Sequence, residues 1–369
     1  MLDDITLFTI IFYVSLLLPI FVLFLLSKSY SLEKENLFLN YIAPAYLIFI
    51  FLLIALRPIG YSGFADTQMY IDWFNKSKTD NVIQKKDIGF GLLTFIASKI
   101  LTIRLFFVLC TAISFGTLFW ISKKISNRYW FLFFLGTAVS LYFWNHQVFT
   151  IRQMIASLFF ITAFFQKKVL YKTLWFLLAV SFHKTFLLPL FCYLVIVFYN
   201  KTNLYLVLWL ISIPFSYFFG NDIWESILKL MPPILRNYYF PMADTISLSN
   251  FRWDVVFYSS IFVILPFCYK CTDEKYKFFF NLYLLTNIFT ILLIWPTGGF
   301  IHRFAYLSWL LSPLLVYYPL FRNNKEFSYK PFFKTITVFY LLVVFYVGFK
   351  IWKQDYKFVP DKSVITNNI

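Results

Sequence analysis

The sequence predicts an all-α, polytopic membrane protein of about twelve helices, with long external loops and an interfacial helix. Three observations predict it. Hydrophobic residues fill 60% of the 369 positions and charged residues only 14%, more apolar surface than a soluble domain of this length can cover. Apolar runs of about 17 to 25 residues, enough to cross a bilayer, recur from end to end. Aromatic residues reach 24%, with 51 Phe, the enrichment expected where rings face lipid and line its interfaces. No internal repeat, low-complexity tract or separate soluble domain interrupts the pattern, and nothing in it points to nucleic acid. Residues 1–369 therefore read as a single integral membrane domain.

The first run, 5–27, follows the acidic start Met1-Leu2-Asp3-Asp4. A signal peptide needs a basic start and a small-residue cleavage site, so this run is expected to be retained as a helix. A second run covers 37–56. At Arg57 the hydropathy falls, and 57–104 reads as a long external loop. Within it, "IGFGLLTFIASKILTIRL" mixes apolar residues with Lys99 and Arg104, as a helix lying on the membrane surface does. Runs follow at 105–121, 130–144 and 149–166. The next two, 171–182 and 184–199, are one apolar stretch broken at Ser181-Phe182-His183-Lys184. The first of this pair is short for a crossing, and the two read as tilted or half-buried helices. A run at 203–219 leads into a second external loop, 220–253, holding three prolines, Arg236, the Tyr238-Tyr239 pair and Arg252. Runs at 254–269, 278–295, 304–320 and 332–350 complete the set.

Basic residues set the orientation. Six short loops hold Lys28 and Lys34; Lys123, Lys124 and Arg128; Lys167, Lys168 and Lys172; Lys201; Lys270, Lys275 and Lys277; and Arg322, Lys325, Lys330 and Lys334, together 16 of the 33 basic residues. They crowd into roughly 50 loop residues, whereas the other 17 spread over roughly 120, so the dense set is placed in the cytoplasm. Both termini then lie outside. Of the four cysteines, Cys268 and Cys271 have CxxC spacing, but no second ligand pair follows, so no metal or redox site is expected.

Cations outnumber acids, for a net charge of +16, and their placement is uneven. No Asp or Glu occurs between Ile88 and Asn221, a region holding Arg104, Arg152, His183 and Lys184; none occurs between Lys275 and Lys325, around Arg303. By the topology above, Arg57, Arg152, His183, Lys184 and Arg303 fall on one face. The external acids counted beside the spans are Asp66, Asp72, Asp222, Glu225, Asp244 and Asp254. A single such cation can snorkel to headgroups. Five converging on one face suggest an anion-binding cavity, because charge at membrane depth marks a substrate path and the arginine fork suits a pyrophosphate.

Two further residues carry chemistry. "ADTQMYIDWF" places Asp66 and Tyr70 one helical turn apart. Asp66 can accept a proton from a sugar hydroxyl, or it can serve as the N-cap of a short helix. His183 sits at the break, where broken membrane helices line sites, although a lone histidine in apolar surroundings is commonly structural.

The order of these motifs, an Arg and Asp-x-x-x-Tyr in the first external loop, then "IRQMIA", "SFHKTFLLPL" and "HRFAYL", resembles the EpsG/Wzy-type polysaccharide polymerases from about Arg57 to Tyr306. The resemblance implies an O-antigen or exopolysaccharide polymerase, a glycosyltransferase with GT-C-like architecture in the bacterial inner membrane. It joins repeat units carried on undecaprenyl pyrophosphate at the outer, periplasmic face, and transfers the growing chain to the non-reducing end of a new lipid-linked unit. Membrane lipid, a flippase and a chain-length-regulating membrane protein are the implied partners; no cofactor is implied. Asp66, Arg152, His183 and Arg303 stand at the family's matching motif positions. Departure of a lipid pyrophosphate needs its developing charge stabilised. With acids sparse and arginines plentiful, Arg57, Arg152 and Arg303 are expected to supply that without a metal. Asp66 or His183 would deprotonate the acceptor, with inversion at the anomeric carbon. Tyr70, Gln153, Lys184, Arg236, Tyr238, Arg252, His302 and Tyr306 are the substrate-binding candidates. The rival classes are a flippase of the same lipid-linked unit, which should place cations through the full depth, and a related glycan ligase or acyltransferase.

Overall fold

The computed structural model describes residues 4–59, 66–230, 251–269, 273–295, 300–322 and 328–352, and among these every regular element is helical. The chain is an all-α, polytopic membrane protein. Six helices are long and apolar enough to cross a bilayer: Thr6–Lys28, Leu32–Ala55, Ile103–Ile125, Thr202–Ser226, Phe304–Phe321 and Tyr329–Gly348. Shorter apolar helices accompany them. The chain divides into two compact units, one of residues 1–184 with 324–369 and one of residues 185–323.

The first unit begins with α1 (Asp4–Ser15), α2 (Leu17–Lys28), α3 (Leu32–Leu37) and α4 (Ala43–Ala55), the last two joined by a π turn at Phe38–Ile42. Two helices fill the stretch read as the first external loop: α5 (Thr67–Thr79) and α6 (Ile88–Ile100). Then come α7 (Ile103–Ile125), α8 (Trp130–Val139), the single turn α9 (Leu141–Trp144), a second π turn at Asn145–Phe149, α10 (Ile151–Ala163) and α11 (Val169–Phe182). The C-terminal helix Tyr329–Trp352 packs on α2 and α8.

Every residue of α8 and of α10 is buried, so these two helices form the centre of the unit. A helix apolar all round is a core helix. What α10 adds is a set of polar side chains in the same buried position: Arg152, Gln153, Ser157 and Thr162. The run read as 130–144 is not one rod. It breaks at Ser140, whose extended backbone turns the chain and whose hydroxyl donates to Thr137 O at 2.6 Å.

At one end of this unit a buried carboxylate gathers three loops. Glu35 accepts from Tyr30, Tyr329 and Arg128, each at 2.8 Å. These residues come from or beside three of the loops that the basic residues assign to one side of the membrane. The Arg57 end of α7 is the other end, about 34 Å away by the length of that helix.

The second unit holds α12 (Leu187–Phe198), α13 (Thr202–Leu230), α14 (Trp253–Tyr269), α15 (Glu274–Leu292), α16 (Phe300–Trp309) and α17 (Ser312–Arg322). Its polar centre is Asn287 on α15. The amide accepts from Trp209 Nε1 at 2.7 Å and donates to Ser259 and Ser308 at 2.9 Å each, joining α13, α14 and α16. Such interhelical hydrogen bonds hold membrane helices where no hydrophobic difference exists between lipid and core. Here α13 runs eleven residues into the stretch read as the loop 220–253. Gly220 does not stop it. A Cβ there would meet Trp295 Nε1 at 2.3 Å, and that indole donates to Ser216 O at 2.6 Å. The glycine serves close packing rather than helix termination.

Candidate functional site

The site grows from Arg152, in the first turn of the buried helix α10 and 2% exposed. A cation is unfavourable both at that depth and at a helix N-terminus. Two carboxylates compensate it. Nη1 donates to Asp87 Oδ2 at 2.5 Å, and Nη2 lies 3.3 Å from Asp66 Oδ2. Nε donates to the Tyr70 hydroxyl at 3.3 Å, and that hydroxyl donates on to Asp66 Oδ2 at 3.3 Å. The guanidinium also lies over the rings of Tyr70 and Trp73, at 5.3 and 4.7 Å from their centroids.

Asp66 and Asp87 occupy the same kind of position. Each is the residue before a helix, Asp66 before α5 and Asp87 before α6, and neither makes a side-chain cap bond. An aspartate there ordinarily bonds the first-turn N–H groups, worth about 1 kcal/mol. Both carboxylates instead turn to Arg152. The two then diverge: the Asp66 side chain keeps 16% exposure, and Asp87 keeps 4%. Asp87 uses its second oxygen as well, accepting from the Lys184 backbone N–H at 3.1 Å. It thus ties the helix break at His183-Lys184 to α10.

The break is local in origin. Residue His183 leaves the helix with extended backbone, its N–H still bonded to Ala179 O at 3.0 Å. The His183 side chain is buried and the Lys184 side chain is exposed. Alongside, α6 lies close to α11 because Gly89 allows it, and Gly91 makes room for the loop that precedes α6. A Cβ on Gly89 would meet Ser181 Oγ at 2.3 Å, and one on Gly91 would meet the Gln84 carbonyl oxygen at 2.2 Å. The second obstacle is backbone and cannot rotate away. Gly91→Ala is therefore expected to push α6 off its seat and draw Asp87 from Arg152, destabilising the fold by about 1–3 kcal/mol. Thermal unfolding of the purified variant checks this.

Arg57 lies at the end of α4 and is 1% exposed, yet it differs from Arg152 in having no carboxylate partner among the described residues. Nη1 donates to Ile54 O at 3.1 Å, and the guanidinium lies 5.0 Å from the Phe107 ring centroid. Nε and Nη2 are buried with no hydrogen-bond partner among the described residues. It lies within electrostatic reach of Tyr70.

Tyr70 is 1% exposed, its ring packed between Arg152, Trp73 and Phe90. Burial first, and then the Asp66 carboxylate, raise its hydroxyl above the ordinary phenol range, so it remains a donor to Asp66. The expectation that Tyr70 stacks on a sugar meets a ring already enclosed by protein. Its neighbour Trp73 keeps partial exposure.

Of the residues singled out from sequence, Asp66, Tyr70, Arg152 and the backbone of Lys184 meet in one constellation, with Arg57 within electrostatic reach of Tyr70. Gln153 is buried on the next position of α10. Arg252 and Tyr306 belong to the second unit. There Arg252 pairs with Asp254 through Nε at 2.7 Å and Nη2 at 2.5 Å, and the Tyr306 ring lies 5.6 Å from Trp309. His302 and Arg303 fall on α16, but their side chains lie outside the described residues, as do Arg236 and Tyr238 altogether. Sequence reasoning missed Asp87 and Trp73. Asp87 carried a usable signal, as the last acid before the acid-free stretch that begins at Ile88. The reading of Arg152 as a cation short of carboxylates is corrected by its two aspartates.

A sequence model described as the EpsG family matches residues 45–363. No curated protein and no solved structure matches the chain.

Proposed function

The chain belongs to the EpsG family, and we propose that it is a polysaccharide polymerase, a glycosyltransferase joining repeat units carried on undecaprenyl pyrophosphate at the outer face of the inner membrane. The growing chain passes from its lipid carrier to the non-reducing end of a new lipid-linked unit. One observation carries this reading: a partly exposed carboxylate, Asp66, is held by Arg152 and Tyr70, and a buried arginine within electrostatic reach of the same Tyr70, Arg57, has no counter-ion among the described residues. A base and an anion receptor are what attack by a hydroxyl and departure of a pyrophosphate require.

The two arginines divide the work. Arg152 is compensated by two aspartates and serves to orient Asp66. Arg57 has two nitrogens, Nε and Nη2, without an acceptor among the described residues, and the oxyanion of the leaving pyrophosphate completes them. Asp66 takes the proton from the acceptor hydroxyl as its oxygen bonds to the anomeric carbon. The bond from that carbon to the pyrophosphate oxygen breaks, and the electron pair stays on the pyrophosphate. Attack opposite the leaving group inverts the anomeric centre. His183 lines the acceptor side.

Arg57→Met tests the assignment. In a host displaying the chain's own glycan, the ladder is expected to collapse to single repeats, with elongation reduced about 10²-fold. The purified variant is expected to melt higher than wild type, because a buried arginine without a partner has been replaced by an apolar side chain. Loss of all displayed glycan would instead indicate a flippase or ligase. An unchanged ladder would remove Arg57 from the site.

A further inference from the structure

We infer that Trp73 is the platform on which a pyranose ring of the incoming acceptor stacks, one ring beyond the sugar that reacts. The inference rests on the polymerase reading and adds to it a determinant of acceptor binding. Asp66, the residue that precedes α5 with helical backbone, and Trp73 on α5 are seven positions apart, which returns nearly to the same side of a helix two turns on. The side chain of Arg152 reaches both: its Nη2 contacts Asp66 and its guanidinium carbon sits 4.7 Å from the Trp73 ring centroid. The indole is fixed in place by edge contacts to Tyr70 at 6.1 Å and Phe90 at 6.5 Å. Yet it stays partly exposed, while Tyr70 and Phe90 are buried.

A large aromatic side chain held rigid and left partly open is suited to the apolar C–H face of a pyranose. Two helical turns are about 10 Å, longer than one pyranose ring. A sugar presenting its hydroxyl to Asp66 therefore leaves Trp73 for the next ring. The flanking polar residues fit a hydrated glycan rather than lipid. On the outer face of α5, Gln68 donates to Asp72 at 3.0 Å, and both are exposed, as is Lys76. A tryptophan facing acyl chains would be surrounded by apolar side chains instead.

The test uses the full-length protein in lipid nanodiscs, with the lipid-linked repeat extracted from cells lacking this chain as both donor and acceptor. Wild-type protein must first elongate that repeat; if it does not, the polymerase reading fails and Trp73 is not at issue. Trp73→Leu is expected to raise the repeat concentration for half-maximal elongation about tenfold, and Trp73→Phe about threefold. The maximal rate should move much less than either. Half-saturation unchanged in Trp73→Leu overturns the inference. So does a fall in maximal rate at constant half-saturation, since that reports displaced Arg152 rather than a lost platform. If the leucine variant does not accumulate, Trp73→Phe and Trp73→His decide: equal half-saturation in the two overturns the inference, and a smaller rise for phenylalanine supports it.

Discussion

Asp66→Asn is expected to stop chain elongation, by about 10²- to 10⁴-fold, while the protein folds and melts like wild type. The substitution is nearly isosteric. Its amide oxygen can still accept from Arg152 Nη2 and the Tyr70 hydroxyl, the two contacts that hold the carboxylate at 3.3 Å each. Arg152 keeps its shorter bond to Asp87. What disappears is the capacity to take a proton. A ladder assay in the native host and thermal unfolding of the purified protein give the two readouts. Retained elongation would move the base to His183, and His183→Gln should then abolish elongation. Loss of the fold together with loss of the ladder would show Asp66 to be structural.

The expectation has a physical root in where the two aspartates sit. Both stand at the start of a helix, and both leave the first-turn N–H groups without a side-chain cap. Forgoing two caps costs about 2 kcal/mol. The compensation of Arg152 explains Asp87, which is nearly inaccessible and has both oxygens engaged. One carboxylate would suffice to neutralise one guanidinium. The second, Asp66, is the one that reaches solvent, and its placement follows from chemistry better than from stability.

Much of this was legible in the chain. Apolar runs located the helices, and the i,i+4 spacing of Asp66 and Tyr70 foretold a contact that the structure shows at 3.3 Å. The break at Ser181-Phe182-His183-Lys184 was visible as polar residues inside an apolar stretch, and it ends α11. The ion pair that organises the site was not legible. Asp87 and Arg152 are 65 positions apart and meet only because α6 docks beside α11 and brings Asp87 to the first turn of α10. A charge census recorded too few acids near five cations, but it could not say which cation is compensated. Arg152 is, and Arg57 is not by any described residue. Gly220 misled for a related reason. Glycine beside Asn221 and Asp222 reads locally as a helix end, whereas its value here is room for Trp295, set by tertiary packing.

Asp87 should show the opposite signature to Asp66: a loss of stability that precedes any statement about activity. Asp87→Ala leaves Arg152 buried with Asp66, at the longer distance, as its one remaining carboxylate among the described residues, and removes the acceptor of the Lys184 N–H. Breaking a buried pair on one side costs about 3–5 kcal/mol. Asp87→Asn is no remedy, because its oxygen can face either Arg152 or the Lys184 N–H, and its NH2 group then meets the other donor. Removing the charge from both sides separates the two causes. In the double variant Asp87→Leu with Arg152→Met neither partner of the buried pair is left as an unpaired ion, so its melting temperature should exceed that of Asp87→Ala. The recovery is incomplete, because the Lys184 N–H still lacks its acceptor. Elongation, by contrast, should stay lost in the double variant, since Asp66 then loses Arg152 and keeps the Tyr70 hydroxyl alone of the two groups that hold it. A double variant no more stable than Asp87→Ala would mean that the carboxylate acts through the helix break alone. One that elongates normally would mean that Arg152 does not position the base.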